Sequence, residues 1–319
     1  MGSLALEILQ CALAFWFGYV ANQGGTCLVV AADELHRRRP PRMFVGFLAA
    51  SAAAGLIAIP MVWTETLGAT LAPSTSINLL LLIGAIAFGF GALINDACLL
   101  GSLARLGNGE IRLLAMPLGL AIGILAADHC RFDHVATWPS LISRPSVTGL
   151  VTLLSFLVVL VLALVFVSSS GVLRTKPEWS FGASMIGLGI SGGLLYALSS
   201  AWTFGDLIQR ALPLRMSPVG EVALTAVIPL IAGALTASYR QENLRLQLPT
   251  ANDILRSVGG GTLMGIGIAF IPGGNDALLL ASVPTLSPGG IVAYLLMTVT
   301  IVFGFAARRR LFRRHLSRP

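Results

Sequence analysis

Phe17-Gly18-Tyr19-Val20-Ala21-Asn22-Gln23-Gly24-Gly25-Thr26-Cys27-Leu28 and Phe88-Gly89-Phe90-Gly91-Ala92-Leu93-Ile94-Asn95-Asp96-Ala97-Cys98-Leu99 are two copies of one pattern. Each closes a long apolar run, meets a cysteine nine residues after its first glycine, and continues into a shorter apolar stretch. Two weaker copies follow. Gly187-Leu188-Gly189-Ile190-Ser191-Gly192-Gly193 has Tyr196 at the ninth step, and the run Gly265 to Asn275 has Gly274 there. Self-similarity of this kind divides the chain into two pseudo-symmetric halves, about 1–130 and 147–319, each with two related motifs.

The motifs read as helix breaks. A straight helix over residues 4–35 would measure about 48 Å at 1.5 Å per residue, against a hydrocarbon core of about 30 Å. Gly24-Gly25, Asn95-Asp96, Gly192-Gly193 and Pro272-Gly273-Gly274-Asn275 are the expected interruptions, because Gly, Pro and Asn punctuate helices. Short helices are then expected over 27–35, 98–106, 195–202 and 275–283. Irregular backbone at membrane depth is tolerated where it lines a cavity. In transporters built from repeats, such breaks hold the substrate, with half-helix N-termini offering N–H donors to anions.

Composition sets the environment. Hydrophobic residues make up 55% of the 319 and charged residues 11%, against roughly 25% charged in soluble domains. Mean hydropathy is +0.84. These values exclude a soluble enzyme, a disordered chain and a disulfide-stapled secreted module. Glycine, at 35 residues, is enriched, as expected where membrane helices pack closely or break. Nine apolar stretches are long enough to span: 4–22, 43–63, 78–95, 111–128, 147–169, 180–199, 219–239, 255–271 and 289–307. They lack the alternation of a membrane barrel. The expected fold is therefore all-α: a polytopic membrane protein with about nine transmembrane helices and four short broken or re-entrant segments.

If each stretch crosses once, the loops alternate sides. Only Arg131, Arg144, Arg210 and Arg215, of 21 basic residues, fall on one side. The other side receives Arg37, Arg38, Arg39, Arg42 and the tail arginines Arg308 to Arg318 among the rest. Cytoplasmic loops collect Lys and Arg, so the N-terminus is expected outside and the C-terminus in the cytoplasm. The net charge of +7 is thereby a topology signal and does not point to nucleic acid. Met1 to Gln10 has Glu7 and no Lys or Arg, so the first apolar segment is expected to be retained.

The remaining polar features have ordinary readings. Asp96 and Asp276 are expected to cap the short helices that follow them; a proton-linked or substrate role is the alternative. Asn95 and Asn275 are expected to cap as well, or to donate to a passing oxyanion. Asp33-Glu34 should pair with the arginines at 37–39. Trp63, Trp138, Trp179 and Trp202 lie near span ends, as interfacial anchors do. Asp128-His129-Cys130-Arg131-Phe132-Asp133-His134 fits no zinc spacing and reads as a solvated loop. The four cysteines form no CxxC pair. No cofactor is expected. No nucleotide loop or catalytic triad occurs, so neither an ATP-driven pump nor a hydrolase is indicated.

On Gly24-Gly25-Thr26-Cys27-Leu28, the run Phe88 to Gly101, and Gly261 to Gly267 leading to Gly274-Asn275, the chain resembles the YeeE/YedE sulfur-transport family over nearly its whole length. The resemblance implies a thiosulfate importer of a bacterial inner membrane that is not an enzyme. Its anion would pass along cysteines of the first, second and fourth motifs through weak S–H···S contacts. Cys27 and Cys98 match the first two; the fourth position is Gly274. The expected path residues are Cys27, Cys98, Gly24, Gly25, Asn95, Gly273, Gly274 and Asn275. Partners implied are the small sulfur-containing anion, the bilayer and a small soluble sulfur-carrier protein on the cytoplasmic side. Two alternatives stay open: a membrane-bound sulfur-transfer protein forming a cysteine persulfide, and a degenerate paralogue with another small substrate.

Overall fold

The computed structural model describes residues 3–129, 136–169, 181–199, 202, 203, 205, 207, 208 and 221–316. Among these the chain is helical, with one two-residue strand pair. The helices are α1 (Ser3–Gln23), α2 (Leu28–His36), α3 (Arg42–Trp63), α4 (Leu79–Asn95), α5 (Leu99–Gly107), α6 (Met116–His129), α7 (Val147–Ser169), α8 (Phe181–Leu198), α9 (Glu221–Arg240), α10 (Ala251–Phe270), α11 (Asn275–Ala277) and α12 (Pro288–Leu316). A π turn, Leu278–Ser282, extends α11.

Seven stretches are long and apolar enough to cross a bilayer, or eight if α10 and the bent segment after it form one span. The count of nine is not confirmed among the described residues. The remaining candidate lies on α9, a 20-residue helix with Pro229 in its interior and an apolar stretch over Ala226–Arg240.

The two sequence halves interleave. α9 packs on α1, α8 on α3, and α10 lies against both α4 and α6. Small residues permit this. A Cβ at Gly18 would strike the Leu230 carbonyl, and one at Gly233 the Phe15 carbonyl, so α1 and α9 approach backbone to backbone. Without a hydrophobic drive between helices in lipid, such close contact is what holds them. α7 is the opposite case: its apolar window is only 11% buried, and it turns Leu154, Val158 and Leu162 outward.

The loops gather at two ends. At one, β1 (Ser74–Thr75) pairs antiparallel with β2 (Thr137–Trp138). Thr75 donates its N–H to Ser287 Oγ at 3.1 Å, and the Ser140 hydroxyl donates to the Thr285 carbonyl at 3.1 Å. At the other, Glu110 bridges Gln247, and Arg245 donates its N–H to the Asn108 carbonyl at 3.0 Å.

Three of the four expected breaks are present, between α1 and α2, α4 and α5, and α10 and α11. The third is not at Gly192-Gly193, because α8 runs unbroken to Leu198. Those glycines serve packing instead: a Cβ at Gly193 would meet the Ala54 backbone and one at Gly192 would meet Phe17 and Leu280. Trp202 also departs from expectation. It is fully buried, edge-on to Phe17 at 4.8 Å and to Tyr196 at 5.2 Å, and so is no interfacial anchor. Trp63 and Trp138 are partly exposed near helix or strand ends; Trp179 and Cys130–His134 lie outside the described residues.

Candidate functional site: two thiols at converging helix starts

The first break is a tight C-terminal turn. Gly25 adopts φ +57°, where a side chain would be strained. Its N–H reaches the Asn22 carbonyl at 3.0 Å, and Thr26 N–H reaches the Ala21 carbonyl at 3.2 Å. This paired pattern is the Schellman closure of a helix. The Asn22 amide ties the turn to α5 through the Ala104 carbonyl at 2.7 Å. The chain then extends, and Cys27 stands as the N-cap of α2.

The second break is made differently. Asp96 takes φ +59°, a conformation that Asp tolerates better than most residues. The freed carbonyls at the end of α4 are met by two arginines: Arg112 donates to the Asn95 carbonyl at 2.9 Å, and Arg105 to the Asp96 carbonyl. Cations are favoured at a helix C-terminus. Arg105 also pairs with Asp96 at 3.3 Å and Glu110 at 2.6 Å, and Arg112 with Glu110 at 3.2 Å. Asp96 therefore does not cap α5. Cys98 does, accepting the Gly101 N–H at 3.3 Å. The Asn95 amide donates to the Ala97 carbonyl at 3.0 Å and to Ser102 Oγ at 3.3 Å.

At the fourth break Gly273 adopts φ +81° and Gly274 is the N-cap of α11. Cys27, Cys98 and Gly274 thus occupy one structural position, the start of a short helix. In the third copy the Thr203 carbonyl accepts the Leu207 N–H at 2.9 Å. Tyr196, at the expected ninth step, remains inside α8.

These starts converge. The Cys27 and Cys98 sulfurs lie 3.9 Å apart. Cys98 Sγ also receives the Leu28 N–H at 3.2 Å and the Asn275 side-chain amide at 3.4 Å. One sulfur thereby caps its own helix and the first N–H of α2. Cys98 is 0% exposed and Cys27 3%, so this conformation is closed at the thiols. Gly101 leaves the room: a Cβ there would strike Cys27 Sγ. Gly274 is similarly constrained, since a Cβ would strike Leu99 Cδ1 and lie 2.5 Å from Asp276 Oδ1. Asp276 sits in the first turn of α11, where its carboxylate accepts the Tyr196 hydroxyl at 3.3 Å and the Thr203 hydroxyl. Gly24 packs under Met185, away from the sulfurs.

Beyond the thiols along α2 lies a cavity of about 780 Å³. Val29, Val30, Asp33 and Arg37 line one wall, and Asp96, Arg105, Phe305 and Arg308 the others. Arg37 pairs with Asp33 at 2.8 Å. Glu34 instead accepts the Met43 N–H at 3.0 Å.

The arrangement offers an anion two helix N-termini, whose N–H groups and dipoles favour negative charge. It adds two weak, polarisable S–H groups, both buried. Sequence reasoning missed the parts that Arg105, Arg112 and Thr203 play around these breaks. Polar residues inside apolar spans were the available signal.

The fold and site define a polytopic helical membrane protein whose broken helices point their starts, and two thiols, at one another. The sulphur transport family matches residues 23–303, and the chain belongs to that family, the YeeE/YedE group. Comparison with curated proteins gives no match.

Proposed function

We propose that this protein carries a small sulfur-containing anion, thiosulfate foremost, inward across a bacterial inner membrane past Cys27 and Cys98. The observation that carries the reading is the 3.9 Å pair of buried sulfurs at two helix starts, with three N–H donors on Cys98 Sγ. Soft sulfur meets soft sulfur, while backbone donors and dipoles offset the loss of hydration. Gly24, Gly25, Asn95 and Gly273 shape the breaks, and Gly274 and Asn275 border the thiols. The C-terminus and the cavity between α2, α5 and α12 face the cytoplasm on this reading, as positive-inside charge requires. A small soluble sulfur carrier would collect the anion there. The protein guides its substrate without chemical change.

Growth on thiosulfate as sole sulfur source, in cells lacking other routes, tests the reading. The wild-type chain should restore growth. Cys27→Ala should abolish it at unchanged membrane abundance, and Cys11→Ala, outside the cluster, should not. Wild-type uptake in a Cys27→Ala, Cys98→Ser double variant would overturn the thiol path.

A further inference from the structure

Two neighbouring acceptor oxygens at the fourth break have no donor. Asn275 gives its amide nitrogen to Cys98 Sγ at 3.4 Å and leaves Oδ1 without a partner. Asp276 accepts the Tyr196 hydroxyl on Oδ2 at 3.3 Å and also leaves Oδ1 without one. The two residues are 1% and 5% exposed. Buried polar groups are satisfied in about nine cases in ten, and each exception calls for an explanation. Both oxygens are acceptors, so what they call for is a hydrogen or a cation; an oxyanion would be repelled.

Asp276 stands beside the thiols. Its Oδ1 folds back over the start of α11, 2.5 Å from where a Cβ of Gly274 would lie. Gly274 is the N-cap there, the position that carries sulfur at the starts of α2 and α5. No described Arg, Lys or His pairs with the carboxyl. Of the elements packed against α11 and its π turn, α5 brings Cys98 with Cys27 against it, α8 brings Tyr196 and α12 brings Tyr294. The other charges are distant or engaged. Arg42 stands at the first residue of α3, Arg105 is held by the break after α4, and Arg308 lies about 20 Å of helix beyond Tyr294. A divalent cation would need about six oxygens around one point, and Oδ2 is already taken. A proton needs only Oδ1.

We propose that Asp276 is a proton-binding site, taking up one proton as each anion settles at Cys27 and Cys98. This rests on the function proposed above. An ionised carboxylate without a cation is costly in a membrane interior, and a dianion brought to Cys98 adds like-charge repulsion. A proton on Oδ1 removes both. It also offsets one of the two charges that must move against an inside-negative potential. The proton comes from water outside as the anion closes into the site, forming an O–H bond on Oδ1; that bond breaks toward the cytoplasm on release, and no electrons move.

The test uses full-length protein purified in detergent, with thiosulfate as the probe. Thiosulfate stays fully ionised at neutral and mildly acidic pH, so a pH effect there belongs to the protein. Thermal stabilisation gives an apparent Kd at each pH, and a pH indicator in weak buffer counts the protons taken up. The wild type should take up about one proton per anion, and its Kd should rise with pH by up to about tenfold per unit. Asp276→Asn keeps an acceptor for Tyr196 but cannot titrate, so it should take up no proton and flatten the profile. Its ligand-free melting temperature is the folding control, and Asp276→Glu, which restores a carboxyl, should restore the slope. Thiosulfate binding to the wild type without proton uptake would overturn the proton site and leave the proposed function standing. So would uptake that persists in Asp276→Asn, which assigns the proton to the thiols, and so would a Kd that follows sodium in place of pH. No response of the wild type to thiosulfate at any pH would overturn the proposed function, and the proton site with it.

Discussion

Replacing Cys98 by alanine and by serine should separate what the sulfur does for the fold from what it does for the substrate. Its Sγ accepts the Gly101 N–H at 3.3 Å, the Leu28 N–H at 3.2 Å and the Asn275 amide at 3.4 Å, all buried. Alanine leaves those three donors idle. Loss of an N-cap costs about 1 kcal/mol, and each further orphaned donor roughly 1–3 kcal/mol before relaxation. N–H···S bonds are weak and the site can adjust, so a total of about 2–4 kcal/mol is expected. The melting temperature should fall by on the order of 5 °C or more. Serine ranks among the best N-caps, and its oxygen accepts the same donors, so Cys98→Ser should melt near the wild type. Yet both variants should fail in thiosulfate uptake, since neither offers a polarisable sulfur. The assays are thermal unfolding in detergent and uptake in cells matched for membrane abundance. Cys98→Ala melting with Cys98→Ser would refute the capping role. Wild-type uptake by Cys98→Ser would refute the role of sulfur as such.

Other consequences are as direct. Gly274→Cys should lower both stability and uptake, because the new Cβ strikes Leu99 and overpacking costs about 1–3 kcal/mol; adding Leu99→Ala should recover the melting temperature, whereas a rise in uptake from the single substitution would contradict the crowding. Arg112→Ala strips a donor from the Asn95 carbonyl and an ion pair from Glu110, so a loss of about 2–3 kcal/mol is expected in thermal unfolding; an unchanged melting temperature would show that the break holds without it. A fluorescent reporter that matures only in the cytoplasm should be bright on the C-terminus, and a dark reporter with an active periplasmic phosphatase fusion would invert the orientation.

The helices and three of the breaks were legible because length and hydropathy leave little choice: a run such as 4–35 is too long for one crossing. The position of Cys27 and Cys98 at the starts of short helices was legible because their register repeats. Gly192-Gly193 misled for a physical reason. A glycine pair signals a turn or close helix packing with equal force, and only the partner, here Ala54 on α3, tells which. Asp96 misled similarly. The sequence places it two residues before a helix start, which suits a cap, but its left-handed backbone ends α4 and its carboxylate goes to Arg105.

Sulfate and thiosulfate carry the same charge and nearly the same shape, so backbone N–H donors at helix starts would hold either. A pocket that differs by one atom gains only modest discrimination from shape. On the proposed reading, selectivity therefore has to come from the one place where the two anions differ chemically, the terminal sulfur. The structure places a matching pair of sulfurs there in close contact: Cys98 has no exposed surface, and Gly101 brings α5 directly against Cys27. The closed contact also sets what must move. On the proposed reading an anion passes when the starts of α2 and α5 separate, and each is moored by a short set of polar ties. Asn22 to Ala104 joins α1 to α5, Leu28 to Cys98 joins α2 to α5, and Arg105 to Asp96 joins α5 back to α4. The Leu28 tie runs through the sulfur itself. A substrate that takes the Leu28 N–H as its own donor thereby releases the contact that blocks it, which makes binding and opening one event.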